Sequence, residues 1–193
     1  TASIGKWHNA KVIRKPKINE SKQTRDYHDN MISTPEAGYA PHERGFDYDF
    51  SYYASGVALW NSPAFWRNGV NIPAPGYTTH LLTDETLKFI DEHKDKPFFI
   101  NLSYSVPHIP LEQASPAKYM EKFDTGNVEA DKYFAALNAA DEGIGQIIAK
   151  LKENGELENT LIFFLSDNGA VNESPMPMNA MDRGFKGQMF NGG

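Results

Sequence analysis

The chain has 193 residues, of which 40% are hydrophobic and 12% aromatic, and this is enough for one globular domain with its own core. Nineteen basic and 25 acidic residues give a formal net charge of -6, so no general electrostatic attraction draws the chain to nucleic acid or to an anionic membrane surface. The absence of cysteine excludes disulfides, cysteine-ligated metals and a cysteine nucleophile from these residues.

The N-terminal part of the chain shows little periodicity. Residues 1–4 resemble the tail of a strand, and residues 9–80 are rich in proline, glycine, asparagine and aromatic residues without a convincing long element. A structureless insert of this length is uncommon in a compact domain, and this one is too aromatic for disorder. We therefore expect the following side chains to pack in a core: Phe46, Tyr48, Phe50, Tyr52, Tyr53, Trp60, Phe65 and Trp66.

A helix followed by a strand is predicted next. Thr83 is a suitable N-cap for a helix over residues 83–94, whose first turn is acidic, as the helix dipole favours. Pro97 ends this helix. The bulky run over residues 98–104 then predicts a strand that is buried on both faces.

A long amphipathic helix and a second strand follow. The helix is predicted over residues 129–154, where Gly143 and Gly145 lower its intrinsic stability and so indicate close packing, and Gly155 is a suitable C′ residue. Its apolar stripe, at three- and four-residue steps, comprises Tyr133, Leu137, Ala140, Ile144, Ile147, Ile148 and Leu151. The hydrophobic run over residues 160–165 predicts a buried strand.

A helix, a short turn, a hydrophobic strand and a polar loop form half of a parallel-sheet unit. In open α/β sheets, ligands bind at the carboxyl ends of the strands. Asp167 and Asn168 follow one predicted strand, and His108 follows the other. Two strands and a strand tail make only a thin sheet, so we expect further strands outside this segment.

Asp167 and Asn168 are candidate metal ligands. A carboxylate and an amide oxygen at a strand end can both bind a hard cation such as Ca²⁺ or Mg²⁺, although Ca²⁺ takes about six to eight oxygens. The alternative is that Asp-Asn-Gly is only turn chemistry.

Lys6, His8, His108 and Lys186 are candidate anion-binding and proton-transfer groups. Lys6 and His8 are two residues apart on an extended segment, so their side chains point the same way. The alternative is that Lys6 is an ordinary surface lysine and His8 a packed histidine. Prolines on both sides of His108 present its imidazole rigidly, as a general acid requires, but a histidine in a loop can instead cap a carbonyl. Glycines around Lys186 allow close approach to an anion, and the alternative is a solvated loop lysine.

Together these motifs resemble the formylglycine-dependent sulfatase (arylsulfatase) family of the alkaline-phosphatase-like superfamily. The matching segments, in the family's order, are Gly5-Lys6-Trp7-His8, Arg44-Gly45-Phe46-Asp47, Lys96-Pro97-Phe98-Phe99 through Pro107-His108-Ile109-Pro110, Asn159-Thr160-Leu161-Ile162 with Ser166-Asp167-Asn168-Gly169, and Arg183-Gly184-Phe185-Lys186-Gly187 with Asn191-Gly192-Gly193. The resemblance implies an α/β fold, namely part of an alkaline-phosphatase-like mixed sheet flanked by helices, incomplete in this chain.

The resemblance also implies catalytic roles in the hydrolysis of sulfate monoesters. Lys6 and His8 would hold the formylglycine and the sulfate, and His8 would also help to release the bound sulfate. His108 and Lys186 would bind sulfate oxygens and assist departure of the alcohol. In the family, the hydrated formylglycine attacks sulfur and gives a covalent sulfo-enzyme.

Parts of the family's active site are absent from this sequence. Asp167 and Asn168 would be two ligands of Ca²⁺, with Mg²⁺ less favoured. The Asp-Asp pair that completes the family's metal site is missing from this sequence. The Cys-X-Pro-Ser-Arg segment that supplies the formylglycine is missing too. Both precede Gly-Lys-Trp-His in the family. We therefore expect residues 1–193 to be a partial sulfatase catalytic domain that lacks the N-terminal nucleophile segment and the C-terminal subdomain and is inactive by itself.

Two rival functions remain open. A phosphatase, phosphodiesterase or phosphonate hydrolase of the same superfamily would use a similar pocket with a threonine or unmodified serine nucleophile, although the Lys-Trp-His and Pro-His pairing favours a sulfatase. A non-catalytic carbohydrate-binding module would use the aromatic residues between positions 46 and 66 to line a sugar groove.

The resemblance implies a sulfate ester as the partner, either a small aryl sulfate or a sulfated glycan, with specificity in residues 9–80 and in parts outside the chain. No nucleic-acid partner is expected, and no apolar run reaches the length of a membrane span. Family habit indicates a periplasmic or secreted protein in bacteria and a lysosomal or extracellular one in animals.

Overall fold

The structure is a computed structural model that describes residues 1–13, 33–53, 57–108, 111, 113–171 and 182–191. The motif positions Ile109, Pro110, Gly192 and Gly193 lie outside these residues. The strands are β1 (Ala2–Lys6), β2 (Val12–Ile13), β3 (Thr34–Pro35), β4 (Tyr48–Tyr52), β5 (Trp60–Ser62), β6 (Trp66–Arg67), β7 (Val70–Asn71), β8 (Ala74–Tyr77) and β9 (Ile100–Ser103). The α-helices are α1 (Thr78–His93), α2 (Ala117–Met120) and α3 (Val128–Glu153), with 3₁₀ turns at Pro41–Glu43 and Leu157–Asn159.

A five-stranded mixed sheet has the order β7-β6-β4-β1-β9. β1 is parallel to both β4 and β9, whereas β6 is antiparallel to β4 and to β7. Helix α1 packs against β1 and β9, α3 packs against α1, and α2 packs against α3. A mixed sheet with flanking helices is the predicted fold class, and because β1, β4 and β9 are parallel, their carboxyl ends meet at one edge.

Aromatic residues from the irregular N-terminal part form much of the core, as predicted. Phe50, Tyr52, Tyr53 and Phe65 are all buried, and the Phe50 and Phe65 rings stack with centroids 4.6 Å apart. Burying each such side chain stabilises the fold by roughly 1.5–3 kcal/mol. These four rings therefore do not line an open sugar groove.

Helix α1 begins five residues before the predicted N-cap, so that prediction is wrong. Thr83 lies inside the helix, is buried, and donates its hydroxyl hydrogen to the Thr79 carbonyl oxygen at 3.0 Å. Thr86 makes the same bond to Leu82 at 2.8 Å. Because these hydroxyls are satisfied by the preceding turn, threonine is tolerated on the buried face of the helix.

Helix α3 confirms the predicted boundaries to within one residue, but its buried face differs from the predicted stripe. Its N-cap is Asn127, whose side chain accepts hydrogen bonds from two backbone N–H groups of the first turn, and Gly155 follows the helix at φ +75°. The buried residues of α3 are Ala130, Ala135, Ala136, Ala139, Ala140, Gly143 and Leu151. Leu137 and Ile148 are exposed instead. The buried face is thus built from small residues, which allow the helices to approach closely.

The second predicted strand is the largest disagreement. No strand is assigned over residues 160–165, and all five side chains from Leu161 to Leu165 are exposed. A strand forms only where a neighbour accepts its hydrogen bonds, and within the described residues none is paired with it. The predicted strand at 98–104 is present as β9, but its residues are half-buried rather than buried on both faces.

Among the described residues, no helix has both the length and the apolar character needed to cross a membrane.

Candidate active site at the carboxyl ends of the parallel strands

Gly5 brings the ends of two parallel strands into direct contact. Its φ of +105° lies in the left-handed region that favours glycine, and a Cβ at this position would collide with the carbonyl oxygen of Ser103. Lys6 therefore leaves β1 close beside the end of β9, from which the chain continues to His108.

Trp7 fixes the chain between Lys6, the last residue of β1, and the turn that contains His8. Its backbone N–H donates to the Tyr52 carbonyl oxygen at 3.0 Å, and its indole N–H donates to the Tyr39 carbonyl oxygen at 2.9 Å. The indole also packs edge-on against Phe46, with ring centroids 5.8 Å apart. Two of the sequence motifs therefore contact each other through their aromatic residues.

Lys6 lies within electrostatic reach of both Asp167 and Lys186. Burial lowers the pKa of Lys6, the positive charge of Lys186 lowers it further, and the negative charge of Asp167 opposes both effects. The positive charge of Lys186 near Lys6 makes this a locally cationic part of a chain of net charge -6. Such a site favours an anionic ligand.

Lys186 is held in a closed turn beside the loop that follows residues 160–165. Its backbone N–H donates to the Ala170 carbonyl oxygen at 2.9 Å. The Phe185 N–H donates to Gln188 Oε1 at 3.1 Å, and the Gln188 N–H returns to the Phe185 carbonyl oxygen at 2.9 Å. These bonds hold the backbone of Lys186 beside Ala170, which lies three residues after Asp167.

Asp167 and Asn168 fit part of a calcium site by their chemistry. Asp167 is exposed, and Asn168 donates Nδ2–H to the Gly169 carbonyl oxygen at 2.9 Å, which leaves its amide oxygen as the ligating atom. Ser166 stabilises this loop by donating to the Asn168 carbonyl oxygen at 2.8 Å. Within the described ranges, no group of three or more His, Cys, Asp or Glu residues could hold a metal ion. Two oxygen donors are hard ligands of the correct type but are too few for Ca²⁺.

His8 and His108 are exposed and lie just beyond the ends of neighbouring strands. His8 is two residues past the end of β1, and His108 is five residues past the end of β9. The His108 backbone N–H donates to the Ser105 carbonyl oxygen at 3.0 Å, which closes the turn that presents the ring. Both histidines therefore follow strands that end at the same edge of the sheet.

Tyr52 was not predicted as part of the site. It is the register partner of Lys6 in β4, it is fully buried, and burial raises the pKa of its hydroxyl, with the charge of Asp167 adding to the effect. A neutral tyrosine thus lies beside the charged groups. The alternation of residues 48–52 is the only sequence signal that could have placed it on a strand.

A sequence model of the sulfatase family matches residues 1–191. The chain belongs to the sulfatase family. A sulfatase of Escherichia coli (strain K12), "Uncharacterized sulfatase YdeN", is 43% identical over 195 residues, which cover 100% of this chain and 35% of that protein. "Arylsulfatase J" of Mus musculus is 26% identical over 100% of this chain and 30% of its own length.

A solved structure has the same fold. The crystal structure of Ps i-CgsB in complex with k-i-k-neocarrahexaose superimposes with a TM-score of 0.81 at 26% identity, over 100% of this chain and 42% of that one. This sulfatase chain spans about a third of the length of the curated relatives it matches, 35% and 30% for the two above.

Proposed function

We propose that this chain forms part of the active site of a sulfate-ester hydrolase and that it acts within a longer protein. The observation that carries the proposal is the meeting of Lys6, Lys186 and Asp167 at the carboxyl ends of the parallel strands. Membership of the sulfatase family and the 43% identical sulfatase support it. The nucleophile, a formylglycine by family resemblance, would come from outside these residues.

In this proposal, Lys6 and Lys186 bind the non-bridging oxygens of the sulfate group. Negative charge on these oxygens must be stabilised while the nucleophile attacks sulfur, and nearby ammonium groups supply the positive charge that does so. The repulsion between the two lysines is relieved when the anion binds. Both residues are thus expected to matter more for turnover than for folding.

His108 is proposed to be the general acid. As the bond between sulfur and the bridging oxygen breaks, its imidazolium gives a proton to that oxygen, so the alcohol leaves in neutral form. His8, on the turn held by Trp7, is proposed to contact the sulfate and to assist its release.

Asp167 and Asn168 are proposed to hold a calcium ion together with oxygen ligands from outside these residues. A bound divalent cation would supply further positive charge for the sulfate oxygens. The substrate class that we propose is an aryl sulfate or a sulfated carbohydrate. The name of the mouse relative, Arylsulfatase J, supports the first, and the hexaose complex of Ps i-CgsB supports the second.

The test is lysine substitution in the full-length protein that carries this segment. Lys6→Gln and Lys186→Gln should each lower kcat/KM for 4-nitrophenyl sulfate by about 10²–10³-fold, as expected for loss of one charge-stabilising group. Lys152→Gln, at the exposed end of α3, is the matched control and should leave turnover unchanged. Retention of turnover in both site variants, or faster hydrolysis of 4-nitrophenyl phosphate than of the sulfate ester, would contradict the proposal.

A further inference from the structure

The segment that carries His108 is attached to the rest of the domain on both of its sides. Before His108, the Tyr104 hydroxyl hydrogen-bonds to Thr83 Oγ1 of α1 at 2.7 Å. After it, Leu111 is buried in a cluster with Leu59 and Tyr77. Because both sides are attached, the position of His108 depends on what holds them.

Trp60 makes two hydrogen bonds to the segment after His108. Its backbone N–H donates to Gln113 Oε1 at 3.0 Å, and its indole N–H donates to the Ala114 carbonyl oxygen at 2.9 Å. A large ring with a polar edge is thus used to hold an irregular segment, which has no sheet or helix bonds of its own at these residues.

Tyr77 holds the next residue of the same segment. Its hydroxyl hydrogen-bonds to the Ser115 hydroxyl at 2.9 Å, and both residues are buried. Trp60 and Tyr77 are register partners in the β5–β8 pair, and their rings lie 5.2 Å apart. Helix α1 begins directly after Tyr77, and the Thr78 hydroxyl donates to the Ala58 carbonyl oxygen at 2.7 Å. The pair is therefore joined directly to the first turn of α1.

We infer that Trp60 and Tyr77 form a clamp that positions His108 for proton transfer to the leaving group. This inference depends on the proposed function, because it assigns the two residues a role through the acid. Neither residue needs to touch the substrate. They hold residues 113–115, which follow His108 by five to seven residues in the chain. A misplacement of about 1 Å can cost a catalytic group about a hundredfold in rate.

The test compares two sulfate esters in the full-length enzyme. 4-Nitrophenolate is a good leaving group that needs little protonation, whereas an alkyl alkoxide leaves only with a proton. The clamp variants are Trp60→Phe, which keeps an aromatic ring and loses the bond to Ala114, and Tyr77→Phe, which loses the bond to Ser115.

The fold offers matched controls for both variants. Within the described part of the chain, Trp66 Nε1 and the Tyr53 hydroxyl are buried without a hydrogen-bond partner. Trp66→Phe and Tyr53→Phe therefore make the same chemical changes without breaking a hydrogen bond. His108→Gln supplies the reference for complete loss of the acid.

Each clamp variant should lower kcat/KM for the alkyl sulfate by about tenfold to a hundredfold and change that for 4-nitrophenyl sulfate by less than about threefold. Both control variants should affect the two esters equally. An equal loss on both esters that accompanies a lower Tm would mean that the clamp only stabilises the fold, and it would overturn the inference. The absence of any loss on either ester would also overturn it. If His108→Gln itself lacks the difference between the two esters, the acid role in the proposed function is wrong and the clamp falls with it.

Discussion

At Gly5, the backbones of β1 and β9 lie so close together that no side chain fits between them. Gly5→Ala should lower the free energy of unfolding by about 2–5 kcal/mol, because it adds a collision with the Ser103 carbonyl to the cost of a positive φ. Gly38→Ala is the control, since Gly38 also has a positive φ, +83°, but a Cβ added there would meet no atom within 4 Å.

The measurement is chemical denaturation of the full-length protein and its two variants. The control should show only the cost of the backbone conformation, about 1–2 kcal/mol. Equal losses in the two variants would mean that the contact between the strand ends is not tight at Gly5.

His80 is predicted to make the domain less stable in mild acid. Its Nε2 lies 2.8 Å from the Tyr119 hydroxyl oxygen, and its ring packs edge-on against Tyr77. Burial lowers the pKa of His80, the charge of Lys118 lowers it further, and the nearby carboxylates of Asp84 and Glu142 oppose this.

Because the pKa of His80 is lower in the folded state, the unfolded chain takes up this proton first. The contribution of neutral His80 to stability is therefore fully present above pH 6.5, the ordinary pKa of histidine. This contribution is lost as the pH falls from 6.5 toward the lower pKa of the folded state. Thermal unfolding between about pH 5 and pH 8 should show a smaller acid loss in His80→Gln than in the wild type. Identical pH profiles for the two proteins would disprove the prediction.

Among the elements, those with local signals were predictable and those with distant partners were not. Helix α3 has a cap, a long periodic sequence and a terminal glycine, all of which are local. Strand β4 was not predicted because its buried residues include Asp49, and an aspartate in a sequence usually indicates a surface position. Asp49 is satisfied from elsewhere in the chain, by the Asn68 N–H at 2.8 Å and the His42 ring at 2.7 Å. Sequence spacing does not reveal such tertiary partners.

The contact between α1 and α3 depends on Gly143, as the close-packing prediction suggested, and not on Gly145. A Cβ at Gly143 would collide with Thr83 Oγ1 and lie 2.8 Å from the Tyr104 hydroxyl oxygen, whereas Gly145 has nothing within 4 Å. Gly143→Ala should destabilise the protein by about 1–3 kcal/mol through overpacking.

Gly145→Ala is the matched control two residues along the same helix. It should stabilise the protein by up to about 1 kcal/mol, because alanine favours a helix and nothing obstructs it. The readout is the midpoint of urea unfolding in the full-length protein. A stabilising effect of Gly143→Ala would mean that the helices are not in tight contact at this point.

At the scale of the whole molecule, the order of the motifs was enough to predict the family, but the assembly of the site was not visible in the sequence. Lys6, Asp167 and Lys186 come from three distant stretches, and only the fold brings their charges together. Tyr52 and the Trp60–Tyr77 clamp carry no motif at all. Their positions follow from strand register, which depends on tertiary pairing.

The exposed run at residues 161–165 gives the last prediction. Leu161 to Leu165 are five consecutive apolar residues that are all exposed, and an exposed apolar run of this kind favours association. The 193-residue polypeptide by itself should therefore self-associate in sedimentation velocity and bind the dye ANS. Phe164→Lys places a charge at the centre of the run, where the side chain is 84% exposed, and should reduce both signals without unfolding the protein.

Met189→Lys makes the same kind of change at a residue that is 101% exposed but outside the run, and it should change neither signal. A monomeric wild-type polypeptide that binds no dye would show that the run is covered within the chain itself.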